Sequence, residues 1–307
     1  MKIFETVPQI DFMGKKKLAF IITAILISVS IISVFVKGIN YGIDFSGGTQ
    51  IQIKFNQTPS LEKLRNAFKE SLKTEINIIV FGDAENNEFL ITLEQDSIRN
   101  SAGEFNTKVG NIIREIYPEF DIADGIRRVE TVGPKVGGEL KARSQWAATY
   151  ALIGILIYIG IRFKFRYGIG AVVAIFHDVI ITMGVFILFQ KEFTLTIVAA
   201  ILTIIGYSLN DTIVVFDRVR ENLAKYPKRN LEDIINLSIN ESLSRTILTS
   251  LTTFLVVFAL FMLGGSIIHD FSFTMLIGLV VGTYSSIFVA SPVVMAMDPV
   301  TIQKFKK

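Results

Sequence analysis

Cysteine is absent from this 307-residue sequence, and histidine occurs only twice, as His177 and His269. The first absence excludes disulfides, thiolate metal sites and cysteine nucleophiles. The two histidines lie far apart in different apolar segments, which argues against a metal centre. Charge is also scarce. Asp, Glu, Lys and Arg make up 19% of the chain, whereas half of the residues are hydrophobic. Soluble domains have a similar apolar share but about 25% charged residues, so the missing charge carries the signal. The 25 phenylalanines and a mean hydropathy of +0.50 point the same way. A formal net charge of only +3 suits charged loops at a membrane face better than a nucleic-acid surface.

What is present is a set of six apolar runs. The first, Leu18–Val36, follows Lys15, Lys16 and Lys17 but ends in Ser33-Val34-Phe35-Val36-Lys37, with no small-x-small cleavage site. It reads as an uncleaved first crossing. The others are Ser144–Ile161, Tyr167–Phe189, Phe193–Phe216, Thr246–Leu263 and Phe271–Met295. Each is near the roughly 20 residues that span hydrocarbon as a helix. Basic residues group at Lys15–Lys17, at Arg162, Lys164 and Arg166, at Arg218, Arg220, Lys225, Lys228 and Arg229, and at Lys304, Lys306 and Lys307. With six crossings all four groups fall on one side, while the opposite loops 190–192 and 264–270 hold only Lys191. The positive-inside rule therefore places both termini in the cytoplasm of a multi-pass protein.

Three regions follow: residues 1–36 with the first helix, 37–141 outside the cytoplasm, and 142–307 with five helices. Within the second, Thr49–Phe55 alternates polar and apolar residues as a half-buried strand does. Ser60–Leu72 reads as a helix with the apolar stripe Leu61, Leu64, Phe68 and Leu72. Ile76–Phe81 and Glu88–Leu93 read as strands joined by a turn over 82–87, Asn106–Tyr117 as a helix ended by Pro118, and 120–132 as a last strand. That β-α-β-β-α-β order is ferredoxin-like. The fold class is thus a six-helix polytopic membrane protein carrying an α+β extracytoplasmic domain. Residues 217–244 mix charge with Leu223, Leu231, Ile234, Ile235, Leu237 and Ile239. They suit either a helix on the membrane surface or a short helical hairpin with no membrane contact.

Ionisable groups inside spanning helices need a reason. Asp211 lies about 7–8 Å from the inner end of the fourth run at 1.5 Å per residue. Thr203, Tyr207, Asn210 and Asp211 recur at i, i+4, i+7 and i+8 on one helix face. Arg245 opens the fifth run, with Thr249, Thr252 and Thr253 continuing its face. Antiparallel packing sets Asp211 and Arg245 at similar depth, as a proton-binding pair lined by hydroxyls. Burial and a nearby guanidinium act in opposite senses on a carboxyl, so moving the pair changes its protonation. The alternative is a static pair that locks two helices. Asp178, beside His177 and one turn before Thr182, reads as a structural hydrogen-bonding group in the supporting polar pathway. Adjacent helical residues point about 100° apart, so His177 and Asp178 do not share one partner. Gly278-x-x-x-Gly282 lets two helices approach closely and suits internal packing. The glycines of 42–49 follow no strand and lack a P-loop lysine. No hydrolytic constellation emerges, so neither an enzyme nor a cofactor is expected.

GIDFSGGT at 42–49, VGPKVGGEL at 132–140, IGYSLNDTIVVFDRVREN at 205–222, LSRTILTSLTT at 243–253 and GTYSSIFVASP at 282–292 occur in order. Together they resemble the SecD/SecF family of bacterial protein-export subunits, in the resistance-nodulation-division superfamily, and specifically its smaller member. The resemblance implies a heterodimer with a SecD-like subunit in the inner membrane, associated with the Sec translocation channel. It implies that inward proton flow helps draw unfolded preprotein outward. Carried over by motif, the titrating aspartate is Asp211 and its arginine Arg245. The alternative is a half-transporter exporting a small molecule or lipid by the same proton chemistry, and a non-conducting scaffold is a third reading.

Overall fold

The structure, a computed structural model, describes residues 6–72, 76–81, 86–93 and 102–297. The basic residues Lys304, Lys306 and Lys307 and turn positions 82–85 lie outside the described residues. In chain order, a 3-10 turn (Met13–Lys15) leads into α1 (Lys16–Lys37), followed by α2 (Ile43–Ser46), β1 (Gly48–Lys54) and α3 (Leu61–Leu72). Next come β2 (Ile76–Val80), β3 (Glu88–Leu93), α4 (Ala102–Ile116), α5 (Ile122–Gly125) and β4 (Ile126–Val132). The remaining helices are α6 (Pro134–Arg162), α7 (Phe165–Leu188), α8 (Leu195–Lys225), α9 (Leu231–Leu263), α10 (Gly265–Ser285) and α11 (Ser291–Ala296). A π-helical segment, Ser286–Ala290, joins the last two.

The chain divides into two compact units. The α+β unit takes residues 41–146 and also 193–195, starting four residues later and ending five residues later than the 37–141 expected from the sequence. Its four strands are antiparallel in the order β2-β3-β1-β4, which is the ferredoxin-like sheet. The alternation in β1 does what its period requires: Ile51 and Ile53 are fully buried, along with Ile91, Leu93, Leu64 and Phe68. The last strand is shorter than expected. Asp121 accepts the Ala123 N–H at 3.0 Å and caps α5, so the chain makes a helical turn before β4 begins at Ile126.

Two glycine motifs meet inside this unit. Gly47 and Gly48 have φ of +74° and +123°, a region that L side chains rarely adopt. A Cβ on Gly48 would stand 2.6 Å from the Leu93 carbonyl oxygen, and one on Gly137 would stand 3.1 Å from the Gly47 nitrogen. The run at 42–49 is thus a tight entry into β1, closed against the start of α6. Asp44 accepts the Leu195 N–H at 2.9 Å, and Phe45 stacks on Phe193 with centroids 5.6 Å apart.

The helical unit takes residues 1–40, 147–192 and 196–307. Among the described residues, six helical stretches are long and apolar enough to cross a membrane: 13–37, 134–162, 165–188, 195–225, 231–263 and 268–296. Small residues set their approach. A Cβ on Gly184 would overlap Ser30 of α1, and one on Gly278 would overlap the Ile204 side chain of α8, so Gly278-x-x-x-Gly282 is an internal seam. Phe216 sits edge-on between Phe163 and Tyr167.

Residues 217–244 form no separate surface helix but a helical hairpin. They are the ends of α8 and α9, joined by a turn at 226–230. Asn230 caps α9 by accepting the Asp233 N–H at 2.7 Å, and Glu232 and Asp233 suit the positive helix start. Ile234, Ile235 and Ile239 are buried against Val215, Phe216, Val219 and Met13. That apolar stripe is already covered by protein, at about 1.5–3 kcal/mol per side chain in water. The amino-terminal segment latches onto the same helix. Asn240 exchanges hydrogen bonds with the Ile10 backbone at 2.9 and 2.8 Å, and Asn236 accepts from Phe12 and Met13. Asp11 caps the Gly14 N–H and accepts from Asn236, and both bonds hold its carboxyl below the usual carboxylate range.

Candidate functional site

Among the described residues of the helical unit, two carboxylates are buried. Asp211 is 5% exposed, and α8 turns it inward together with Ser208 and Thr212. Its oxygens accept from Thr246 of α9 at 2.9 Å and from Ser286 of the π segment at 3.1 Å. Among the described residues no Lys or Arg nitrogen lies within 4.0 Å of that carboxylate. Arg245 is exposed and makes no ion pair among the described residues; its charge reaches Asp211 only through space. The depth match between the two positions places the contact on the neighbouring residue. Positions 245 and 246 diverge by about 100°, so Thr246 faces α8 while Arg245 faces away from the chain.

The stripe on α8 divides in the same manner. Position i+8 on a helix lies about 80° from position i, enough to separate an inward face from an outward one. Asp211 is inside, whereas Thr203 and Asn210 are exposed and Tyr207 is half-buried. Thr203 donates to the Ala199 carbonyl at 2.8 Å. Thr249 and Thr253 likewise bond carbonyls of their own helix, those of Arg245 and Thr249, each at 3.0 Å. The hydroxyls that reach Asp211 belong to residues that the helical stripes do not single out. One signal for them was available: consecutive serines, Ser285 and Ser286, inside an apolar spanning run.

The second carboxylate, Asp178, is buried. One of its oxygens accepts from Ser208 of α8 and, at 2.8 Å, from Ser285 of α10. The other lies 2.8 Å from Nδ1 of His177. Divergence of adjacent side chains does give the two residues separate partners on other helices. The imidazole nevertheless folds back onto its neighbour, which spacing alone does not reveal. Its Nε2 lies 3.4 Å from Thr23 of α1, and its ring stacks on Tyr284 at 6.0 Å. Tyr284 donates to the Ala19 carbonyl at 2.8 Å.

The π segment has a local cause. Pro292 lacks an N–H, and its ring excludes the ordinary α-helical approach of the carbonyl four residues earlier. The helix widens for one turn, as π segments do at many functional sites. Ser285 and Ser286 stand where the widening starts, and consecutive side chains there point to different helices: Ser285 to Asp178, Ser286 to Asp211. Among the described residues no group of three or more His, Asp or Glu side chains could hold a metal.

Residues 112–299 match the family model for the C-terminal part of the protein export membrane protein SecD/SecF, and 32–59 match the SecD/SecF GG motif. The chain belongs to the SecD/SecF family. Its relatives include the protein translocase subunit SecF of Calditerrivibrio nitroreducens, 48% identical over 96% of each chain. The SecF subunit of Magnetococcus marinus is 47% identical over 97% of this chain and 95% of its own. The crystal structure of SecDF from Thermus thermophilus, a translocon-associated membrane protein, superposes with a TM-score of 0.80 at 36% identity over 96% of this chain. A SecDF structure in a super-membrane-facing form gives 0.70 at 34% identity. This chain spans 39% of the length of the first SecDF chain. Both aspartates and the π segment lie within the stretch that matches the family's C-terminal model, and the paired glycines with positive φ lie within its GG motif.

Proposed function

We propose that this chain is the SecF-type half of a SecDF-type accessory to the Sec translocase, and that it couples inward proton flow to the outward movement of preprotein. In this reading both termini are cytoplasmic and the α+β unit faces the other side of the inner membrane. Asp211 is the group that gains and loses the proton. The observation that carries the reading is its setting: a buried carboxylate in a spanning helix, met by two hydroxyls and, among the described residues, by no cation within 4.0 Å. A static ion-pair lock needs a partner charge in contact, and this site has none among the described residues. Hydroxyls can donate to the ionised form and turn to backbone carbonyls when it is neutral. A proton moving down the membrane potential releases about 2.3 kcal/mol per 100 mV, enough to bias two helix arrangements a few kcal/mol apart.

A partner bundle is part of the proposal. The Asn210 amide and the Arg245 guanidinium are exposed on spanning helices and have no hydrogen-bond or ion-pair partner among the described residues. Hydrocarbon supplies none either. A SecD-like subunit seated there would cover them and bring Arg245 to the proton path. The small-molecule exporter is not favoured, since the curated relatives described above are translocase subunits over nearly their full length.

Asp211→Asn tests this directly. The variant is expected to fold and assemble but to lose proton-driven export, measured in vesicles under a defined gradient. Export at the wild-type rate would leave only a scaffold role.

A further inference from the structure

We propose that His177 and Asp178 form a second proton-binding site, placed in series with Asp211 by the adjacent hydroxyls of Ser285 and Ser286. The inference rests on the reading of Asp211 as a titrating group only for the onward path of the proton; the existence of the second site is argued independently. Both side chains are almost fully buried, at 2% and 1% exposure. A 2.8 Å contact between Nδ1 and a carboxylate oxygen needs a proton between them. With a neutral imidazole, Nδ1 donates to Asp178 and Nε2 accepts from Thr23. The pair then carries one net negative charge, and among the described residues no Lys or Arg nitrogen lies within 4.0 Å of it. An isolated buried charge of this kind is costly. One added proton at Nε2 converts the imidazole to imidazolium and brings the pair to neutrality. No other covalent bond forms or breaks.

The surroundings suit that exchange. Thr23 from α1 can reverse its hydrogen bond, donating to Nε2 in one state and accepting from it in the other, with the Tyr284 hydroxyl 3.1 Å away as its alternative partner. Ser208 faces the pair from α8, Tyr284 and Ser285 face it from α10, and Tyr284 is the titratable group among them. Thr182, one turn along α7, is buried with a hydroxyl oxygen that has no hydrogen-bond partner among the described residues.

The link to Asp211 is equally specific. Ser285 bonds Asp178 and has the Gly282 carbonyl at 3.1 Å as a second acceptor. Ser286 bonds Asp211 and has the Thr283 carbonyl at 3.0 Å. Ser286 can therefore leave Asp211 when that carboxylate is protonated, and Ser285 can leave Asp178 when the adjacent imidazolium offsets the carboxylate charge. The two serines are consecutive at the start of the π segment, so a rearrangement at one changes the geometry of the other. Two sites joined in this way titrate as a coupled pair.

The test uses the full chain in its complex in lipid vesicles. His269→Gln leaves His177 as the single histidine of this chain, and 15N-histidine labelling confined to this chain isolates its signal. The imidazole signals are expected to pass from the neutral to the protonated form on acidification, with a proton affinity that changes by at least about threefold in Asp211→Asn. Asp178→Asn is expected to lower the proton affinity of His177 about tenfold or more, since the countercharge is lost. Ser285→Ala removes only a hydroxyl and carries the test if Asp178→Asn fails to assemble; in it the effect of Asp211→Asn is expected to fall below about 0.2 pH unit. A His177 that keeps one neutral form throughout overturns the second site. A midpoint that ignores Asp211→Asn overturns the link. Neither result touches the export test of Asp211, and an Asp211→Asn variant that exports normally leaves the His177 titration to stand by itself.

Discussion

Thr246, not Arg245, touches Asp211, and this separates what the two residues can do at neighbouring positions of α9. A hydrogen bond to a charged group is worth about 1.5–3 kcal/mol, so the hydroxyl stabilises the ionised carboxylate directly. The guanidinium acts through space and through whatever covers the outer face of the helix. A charge acting over distance is largely retained by lysine, whereas a planar fork held by a partner is not. Arg245→Lys is therefore expected to keep most proton-driven export, and Arg245→Met to lose about tenfold or more, equivalent to about 1.4 kcal/mol. Initial export rates in vesicles at fixed gradient check this. Equal loss in both variants would assign Arg245 a geometric role in the interface with its partner.

Among the elements, the ferredoxin-like unit hangs on the entry to β1. Gly48 combines φ of +123° with a backbone oxygen 2.6 Å from where a Cβ would stand. Strained backbone of this kind costs about 1–3 kcal/mol, and the carbonyl it would meet belongs to the sheet, which cannot yield as a side-chain tip can. Gly48→Ala is expected to raise amide exchange across β1 and β3 by one to two orders of magnitude in the full chain, while α7 and α10 stay protected. Much of this unit is legible in sequence because burial there follows period two in β1 and a stripe in α3. The start of β4 is not, because the Asp121 cap is a local polar event that hydrophobic pattern ignores. The extent of α8 and α9 escapes for a related reason: hydropathy stops where charge begins at Asp217, but the helices continue on the packing of Ile234, Ile235 and Ile239. Asp211 and Asp178 are visible as charges in apolar runs. Their partners are not, since which neighbouring helix a serine faces depends on the π segment, a consequence of Pro292 that spacing at 3.6 residues per turn cannot express.

For the molecule as a whole, the helical unit leaves polar groups on faces that hydrocarbon cannot serve. The exposed Thr203, Thr249 and Thr252 are satisfied by their own helices, but the Asn210 amide and the Arg245 guanidinium have no such partner among the described residues. Elsewhere the outward faces are apolar, as at Ile25 of α1 and Phe176 of α7, 57% and 60% exposed. The chain thus presents two chemically different outer surfaces, one suited to lipid and one suited to a second bundle. The absence of cysteine makes the distinction measurable, because any introduced thiol is the single one in the chain. With a photoreactive maleimide attached, Asn210→Cys is expected to yield a covalent adduct with the SecD-like subunit in native membranes. Phe176→Cys, prepared identically, is expected to yield only lipid adducts. An Asn210→Cys chain that captures lipid as readily as Phe176→Cys would mean that its polar face is not covered by a protein partner, and the SecD-like bundle would have to seat elsewhere.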